Sequence, residues 1–174
     1  GNEAANMLAR HVGGTVDNFV WIMNQQAVAL GCTGTHFANP HGLHDDNHYT
    51  TARDLYRIAS EAMEDETFAE IVKTAIKTLP ATNMQGERQV LSTNQLILRR
   101  ADPWYYKDCK GIKTGTTDAA GPSFAGACKR EAGTLYAAVL ASSSEAQRFA
   151  DAQALYNWYY GNLVDYPLAH SDEK

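Results

Sequence analysis

The sequence lacks the features that mark membrane-spanning proteins, nucleic-acid binders and low-complexity chains. No apolar run approaches the ~20 residues that a membrane-spanning helix needs, and the longest candidates are 18–23 and 136–141. Lys and Arg number 15 against 20 Asp and Glu, for a formal net charge of −5, and they form no dense basic run of the kind that nucleic-acid binders carry. With 13 glycines and 5 prolines among 174 residues, the chain is not of low complexity either. We therefore expect an ordinary globular domain with no nucleic-acid partner.

Cysteine is also scarce. Cys32, Cys109 and Cys128 are the only three, and their odd number and spacing fit neither a disulfide scaffold, a C-x-x-C motif nor a zinc ribbon. We predict that they are small buried side chains, with one bonded pair as the alternative.

Hydrophobic periodicity predicts a helical front half followed by antiparallel strands and a final helix. The predicted helices cover 2–11, 17–30, 52–63 and 66–72, with Asp17, Thr51 and Asp65 as N-caps and Asp54 in the acidic place of a capping box. A hairpin is predicted from 75–82 and 86–91 with a turn at 83–86, and the later strands are predicted at 111–115, 123–129 and 134–142. The loop 32–50 joins the second and third helices.

The last predicted helix begins at Ser143 or Ser144 and runs to 163, and a polar tail follows from 165. Its predicted core stripe consists of Phe149, Ala152, Tyr156, Tyr159 and Leu163. The aromatic run at 104–106 is interpreted as a packing block before the K-T-G strand rather than as a ligand platform. The run at 158–160 is interpreted as core and amphipathic surface rather than as a membrane anchor.

The predicted three-stranded sheet is apolar on both faces. Phe124, Ala127, Leu135 and Val139 illustrate this pattern, and a sheet buried on both faces needs cover on both. One helix covers one face and leaves an edge unpaired. We therefore expect further structure from outside this sequence, or an open apolar groove where it is absent.

Lys113-Thr114-Gly115 lies on a predicted strand and is suited to bind a carboxylate. The ammonium supplies charge, the hydroxyl supplies a directed hydrogen bond, and Gly115 removes a Cβ that would block the approach of a ligand. A three-residue motif is weak by itself, because K-T-G also occurs by chance on exposed edge strands.

Four of the six histidines lie in the loop 32–50, which suggests a metal site as an alternative function. The candidate ligands are His41, His44, His48, Asp45 and Asp46. Their spacings of three and four would suit a helix, but Pro40 and Gly42 indicate a loop. We therefore predict no metal and interpret these histidines as loop residues bonded to backbone groups.

In their order and spacing these motifs resemble the serine D-alanyl-D-alanine carboxypeptidases, the low-molecular-weight penicillin-binding proteins. That family carries S-x-x-K, then S-x-N, then K-T-G. Here Gly1-Asn2 resembles the end of S-G-N, and the resemblance continues to about residue 160. The other matching segments are Glu3–Ala9, Phe19-Val20-x-x-Met23-Asn24, Leu30-Gly31, Thr35-x-Phe37, Asn39-Pro40-His41-Gly42-Leu43, Thr51-Ala52-x-Asp54-Leu55, Thr93-Asn94-x-Leu96 and Gly111-x-Lys113-Thr114-Gly115-Thr116-Thr117-x-x-Ala120-Gly121.

The resemblance implies an incomplete α/β (α+β) fold of the penicillin-binding and β-lactamase type. Residues 1–165 would form the second part of the catalytic domain, with a helical lobe at about 3–100, the K-T-G sheet and last helix at about 109–163, and a polar tail at 166–174. The serine and lysine of S-x-x-K, and the serine of S-x-N, would lie upstream of Gly1. We expect the chain alone to be inactive for that reason.

The resemblance also implies the chemistry. The full protein would hydrolyse peptidoglycan stem peptides ending in D-Ala-D-Ala through an acyl-enzyme, bind β-lactams, need no cofactor and act outside the cytoplasmic membrane. Its partners would include the missing N-terminal segment of the same protein. Two alternatives are a non-catalytic module that binds wall peptides and a β-lactamase.

The family's site residues can be carried onto six positions, one of which is Gly115 as a substrate-binding residue. Lys113 would be catalytic: it would neutralise the terminal carboxylate of the substrate and tune the proton network. Thr114 would hydrogen-bond that carboxylate, and the backbone N–H of Thr116 would be one oxyanion donor. Asn2 would bind the peptide carbonyl and help to place the catalytic lysine. His41 would lie on a loop at the rim of the site.

Overall fold

The computed structural model describes residues 1–100 and 102–163. The predicted tail from 165 lies outside the described residues. In chain order the elements are α1 (Asn2–Gly13), α2 (Val16–Ala29), α3 (Ala52–Ala62), α4 (Glu66–Val72), β1 (Ile76–Leu79), β2 (Arg88–Leu91), a 3-10 turn (Gln95–Ile97), β3 (Cys109–Gly115), β4 (Ser123–Arg130), β5 (Gly133–Val139) and α5 (Gln147–Gly161). Helices in the front half and an antiparallel sheet behind them confirm the predicted fold class.

Side-chain caps set the starts of α2, α3 and α4, and one predicted cap was wrong. Thr51 and Asp65 accept backbone N–H bonds at the starts of α3 and α4, as predicted. At α2 the cap is Thr15, whose hydroxyl accepts from the N–H of Asn18 at 3.1 Å. Asp17 lies inside the first turn instead, where its negative charge still favours the N-terminus of the helix dipole.

Strands β3, β4 and β5 form a three-stranded antiparallel sheet in that order, and β1 and β2 form the separate hairpin. Lys113 on β3 lies opposite Ala125 on β4, with an irregularity in the pairing between Cys109 and Ile112. Strand β3 begins two residues before the prediction. Strand β5 ends at Val139 rather than at 142, before Ala141 adopts a positive φ of 53°.

Helix α5 covers one face of this sheet, and α3 and α4 cover part of the other. Phe149, Ala152 and Tyr156 are fully buried against the first face. The predicted stripe was wrong at its last two positions, because Tyr159 is 39% exposed and Leu163 lies beyond the end of α5. At about 100° per residue, Tyr160 returns to the side of Phe149 and packs against the core instead.

Residues from the aromatic run at 104–106 also enter this core. Trp104 and Tyr106 pack against the cluster on the α5 face, which confirms the interpretation of the run as a packing block for these two. Cys32, Cys109 and Cys128 are buried free thiols, as predicted. No helix in the described part of the chain is long and apolar enough to cross a membrane.

Two apolar surfaces remain open. On α1 and α2, the exposed side chains include Met7, Leu8, Val12, Trp21 and Val28. At the β5 edge, Leu140, Leu155 and Trp158 line a shallow groove between the strand and α5. Within the described residues β5 is paired with β4 alone, so one edge of this strand is also free.

Candidate active site

A cavity of about 500 Å³ lies between the end of β3 and the loop that leads from α2 to α3. The sheet contributes Lys113, Thr114, Gly115 and Thr116 to one wall. The opposite wall comes from the loop and the first turns of α3, and its residues are Phe37, Gly42, Leu43, His44, His48, Tyr49, Thr50 and Leu55. The sequence-predicted K-T-G-T segment is thus gathered at a single concave surface, the usual setting for a small-ligand site.

Lys113 supplies positive charge to this wall. Its ammonium group donates to the carbonyl oxygen of Thr114. Partial burial lowers the pKa of Lys113, and the nearby charge of Arg148 lowers it further. A carboxylate entering the cavity would relieve this repulsion, because it would compensate the lysine charge directly.

The side chain of Thr114 points away from that of Lys113, because successive side chains in a strand alternate between its faces. Thr114 is 6% exposed, and its hydroxyl lies 2.5 Å from the hydroxyl of Thr93. The predicted hydrogen bond from Thr114 to a carboxylate would therefore use a hydroxyl that is already hydrogen-bonded to that of Thr93.

Arg148 is a buried cation that contacts the K-T-G-T segment without lining the cavity, and the sequence reasoning missed it. It lies in the first turn of α5, is 5% exposed, and donates to the Thr116 hydroxyl at 3.0 Å and to the Gly115 carbonyl at 3.4 Å. Its nearest carboxylate is that of Glu145, 3.9 Å away, which is a long ion pair with an exposed partner. The end of β3 therefore carries two cations that the described residues neutralise only weakly.

Asp54 holds the loop wall in place. The residue is 2% exposed, and one carboxylate oxygen accepts from the Gly34 N–H at 2.7 Å and from the Thr35 hydroxyl at 2.9 Å. The Thr35 hydroxyl in turn lies 2.8 Å from that of Thr50, a lining residue. Burial alone would raise the pKa of Asp54, but these hydrogen bonds and the charge of Arg57 outweigh it and lower the pKa.

This arrangement corrects the predicted capping box. Thr51 caps α3 as expected, by accepting from the Asp54 N–H at 3.1 Å. The Asp54 carboxylate crosses to residues 34 and 35 rather than returning to the backbone N–H of Thr51. The short aspartate side chain therefore joins α3 to the loop before it, which a capping box would not do.

His41 and Asn2 lie outside the lining of the cavity. His41 belongs to a tight turn in which its Nδ1 accepts from the Leu43 N–H at 3.2 Å, while the neighbouring Gly42 and Leu43 do line the cavity. Asn2 is exposed at the start of α1. The roles implied for these two residues stay predictions.

The loop histidines bond to nearby groups. His44 Nε2 lies 3.2 Å from an Asp46 carboxylate oxygen, and His48 Nδ1 accepts from the Ala38 N–H at 3.2 Å. Among residues 1–100 and 102–163, no group of three or more His, Cys, Asp or Glu side chains is placed to hold a metal ion.

Comparison with known proteins identifies one family. Residues 1–144 match the peptidase S11 family, described as D-alanyl-D-alanine carboxypeptidase. The chain belongs to this family. The match includes the loop wall, strand β3 and the K-T-G-T segment, and it ends before Arg148.

Curated relatives in the family have the same activity in their names. The carboxypeptidase DacF of Bacillus subtilis is 28% identical over 168 residues, covering 97% of this chain and 41% of its own length. DacB2 of Mycobacterium tuberculosis is 37% identical over 142 residues, covering 80% of this chain and 46% of its own. The chain thus spans about half the length of the curated relatives that it matches.

Solved structures of the family share the fold. The DD-transpeptidase of Streptomyces K15 superposes with a TM-score of 0.76 at 33% identity, covering 84% of this chain and 55% of that one. A D-alanyl-D-alanine carboxypeptidase from Mycobacterium tuberculosis gives 0.81 at 32% identity, covering 97% and 62%.

Proposed function

We propose that this chain is the second part of the catalytic domain of a serine D-Ala-D-Ala carboxypeptidase that acts on peptidoglycan stem peptides outside the cytoplasmic membrane. The observation that carries the proposal is the Lys113 cation in the lining of the cavity. The buried guanidinium of Arg148 supports it, because it is bonded to Gly115 and Thr116 of the same segment. Membership of the family supports the reaction class.

The cationic wall would bind the free carboxylate at the end of the substrate. Lys113 supplies an ammonium group and Arg148 a guanidinium held against Thr116 and Gly115. Charge-assisted hydrogen bonds to a carboxylate are about twice as strong as neutral ones. A peptide that lacks the free carboxylate would leave both cations uncompensated and would bind poorly.

The nucleophile would be the serine of an S-x-x-K motif that precedes Gly1 in the full protein. Its hydroxyl oxygen attacks the carbonyl carbon of the penultimate D-Ala, the peptide bond breaks, and the terminal D-Ala leaves with the proton taken from the serine. Water then hydrolyses the ester and restores the serine. A β-lactam would acylate the same serine, because its amide also presents a carbonyl beside a carboxylate.

The oxyanion of each tetrahedral intermediate would accept from two backbone N–H groups. Thr116 would supply one and the missing serine the other. Losing one such donor costs about 10²- to 10³-fold in kcat in a well-studied protease. Asn2 would bind the peptide carbonyl of the substrate, a role that needs the upstream segment to bring α1 to the cavity.

The experiment compares this chain with the full protein that contains it. Both are incubated with a fluorescent penicillin and separated on a denaturing gel, and D-Ala release from an N-acetylated peptide ending in D-Ala-D-Ala is measured. We expect the full protein to be labelled and to release D-Ala, and this chain to do neither. A covalent band on this chain would contradict the placement of the nucleophile, and peptide binding without D-Ala release by the full protein would indicate a non-catalytic module.

A further inference from the structure

We propose that His48 is a further substrate-binding residue, whose Nε2–H donates a hydrogen bond to a backbone carbonyl of the peptide in the cavity. This inference rests on the proposed function, because the peptide is its ligand. Sequence motifs assigned the carboxylate-binding residues to β3 and His41 to the loop, whereas His48 of that loop was given no role in binding substrate and lines the cavity.

The imidazole of His48 is held in one orientation. Its Nδ1 accepts from the backbone N–H of Ala38 at 3.2 Å. Its ring meets that of Phe37 edge-on, with 5.6 Å between the ring centroids. The backbone is fixed as well, since the His48 N–H donates to the Asp45 carbonyl at 2.9 Å and the next residue, Tyr49, pairs with His36 as an isolated β-bridge.

These contacts determine the tautomer. A nitrogen that accepts a hydrogen bond carries no proton, so neutral His48 carries its proton on Nε2. In the described residues Nε2 makes no hydrogen bond, and His48 is among the residues that line the cavity. When a peptide occupies the cavity, this free Nε2 donor would face it.

The charge state agrees with this role. Burial lowers the pKa of His48, the carboxylate of Asp45 opposes this, and His36 and His41 add to the lowering. The neutral ring is a donor at Nε2, which suits an amide carbonyl, whereas the carboxylate end of the substrate is drawn to Lys113 and Arg148 on the other wall. A peptide bound between the walls thus places its acyl-side carbonyl groups toward the loop.

Two isosteric substitutions separate this role from a structural one. His48→Asn retains a side-chain acceptor near the Nδ1 position for Ala38 but removes the Nε2 donor. His48→Gln supplies an amide N–H near the Nε2 position but loses the Nδ1 acceptor. If Nε2 binds substrate, His48→Asn should raise KM by roughly three- to tenfold with kcat little changed, which is the loss expected for one neutral hydrogen bond. The KM of His48→Gln should stay close to that of wild type.

The full protein and an N-acetylated peptide ending in D-Ala-D-Ala are used for these assays, with thermal melting to check that each variant folds. A near-normal KM for His48→Asn together with a raised KM for His48→Gln would show that His48 only fixes the conformation of the loop. If wild type releases no D-Ala, the proposed function fails instead, so the two failures are distinguishable.

A second measurement avoids substitution altogether. In the full protein labelled with ¹⁵N-histidine, we expect His48 to show the Nε2–H tautomer and its Nε2 resonance to move when the same peptide is added to saturation. A His48 resonance that stays unchanged while D-Ala is being released would overturn the inference.

Discussion

At the scale of single residues, we expect substitutions of Lys113 and His41 to differ in their effect on activity. Lys113 lines the cavity and faces the expected carboxylate, whereas His41 is bonded within its own turn. In the full protein, Lys113→Ala should therefore lower kcat/KM by tens- to hundreds-fold, which corresponds to ~2–3 kcal/mol for a charge-assisted hydrogen bond. His41→Ala should have the smaller effect in the same D-Ala release assay. If His41→Ala were the more damaging change, the assignment of the loop would be wrong.

Some site-region residues can be predicted from the sequence and others cannot. Lys113 could be predicted because a Lys, a hydroxyl and a Gly stand together on one strand. Arg148 could not, because its role depends on α5 crossing the end of β3, 32 residues away along the chain from Thr116. The only indication of Arg148 in the sequence is that a charged residue directly precedes the buried Phe149 in the first turn of the last helix.

At the scale of elements, local chemistry predicted most helices and strands, and tertiary contacts decided one of the exceptions. The N-caps Thr51 and Asp65 lie where side chain and backbone meet within three residues, so sequence alone identifies them. The true partner of Asp54 depends on residues distant in sequence. The error at the far end of the α5 stripe was local, because the helical period brings Tyr160 rather than Tyr159 to the side of Phe149. The choice between Thr15 and Asp17 failed for a different reason, since either residue has a suitable capping side chain.

The link between α3 and the loop wall can be tested through stability. Asp54→Ala removes the acceptor that holds Gly34 and Thr35, and leaves two donors without it. We expect it to lower the midpoint of urea unfolding of the full protein by more than Asp65→Ala, the matched loss of an exposed N-cap that costs ~1 kcal/mol.

The pH dependence of the Asp54→Ala effect has a definite sign. Because the folded-state pKa of Asp54 is lowered, its charge stabilises the protein above the unfolded-state pKa, and this contribution is lost as the pH falls through the folded-state pKa. The gap between wild type and variant should thus be largest near neutral pH and shrink in acid. If Asp54→Ala lowered the midpoint of urea unfolding at neutral pH no more than Asp65→Ala does, Asp54 would not hold the loop wall in place as described.

At the scale of the whole molecule, the exposed apolar surfaces bear on how this chain behaves alone. The open face of α1 and α2 and the groove at the β5 edge together expose large side chains such as Trp21 and Trp158. Exposed apolar side chains promote association where they lie together, as Leu140, Leu155 and Trp158 do in the groove at the β5 edge. The free edge of β5 also offers unpaired backbone groups to another strand. In the full protein, the proposed upstream segment would cover these surfaces.

We therefore expect this chain on its own to self-associate and to bind a hydrophobic fluorescent dye, and the full protein to do so far less. Light scattering after size-exclusion chromatography gives the mass, and dye fluorescence at equal molar concentration gives the exposed apolar surface. Trp158→Lys should reduce both signals for the isolated chain, while Lys77→Glu, on the separate β1–β2 hairpin, should leave them unchanged. The charge at position 158 acts at the β5 groove itself, where burying an unpaired lysine against another chain is costly. A monodisperse monomer that binds no dye would show instead that the described elements already satisfy their own apolar surfaces in solution.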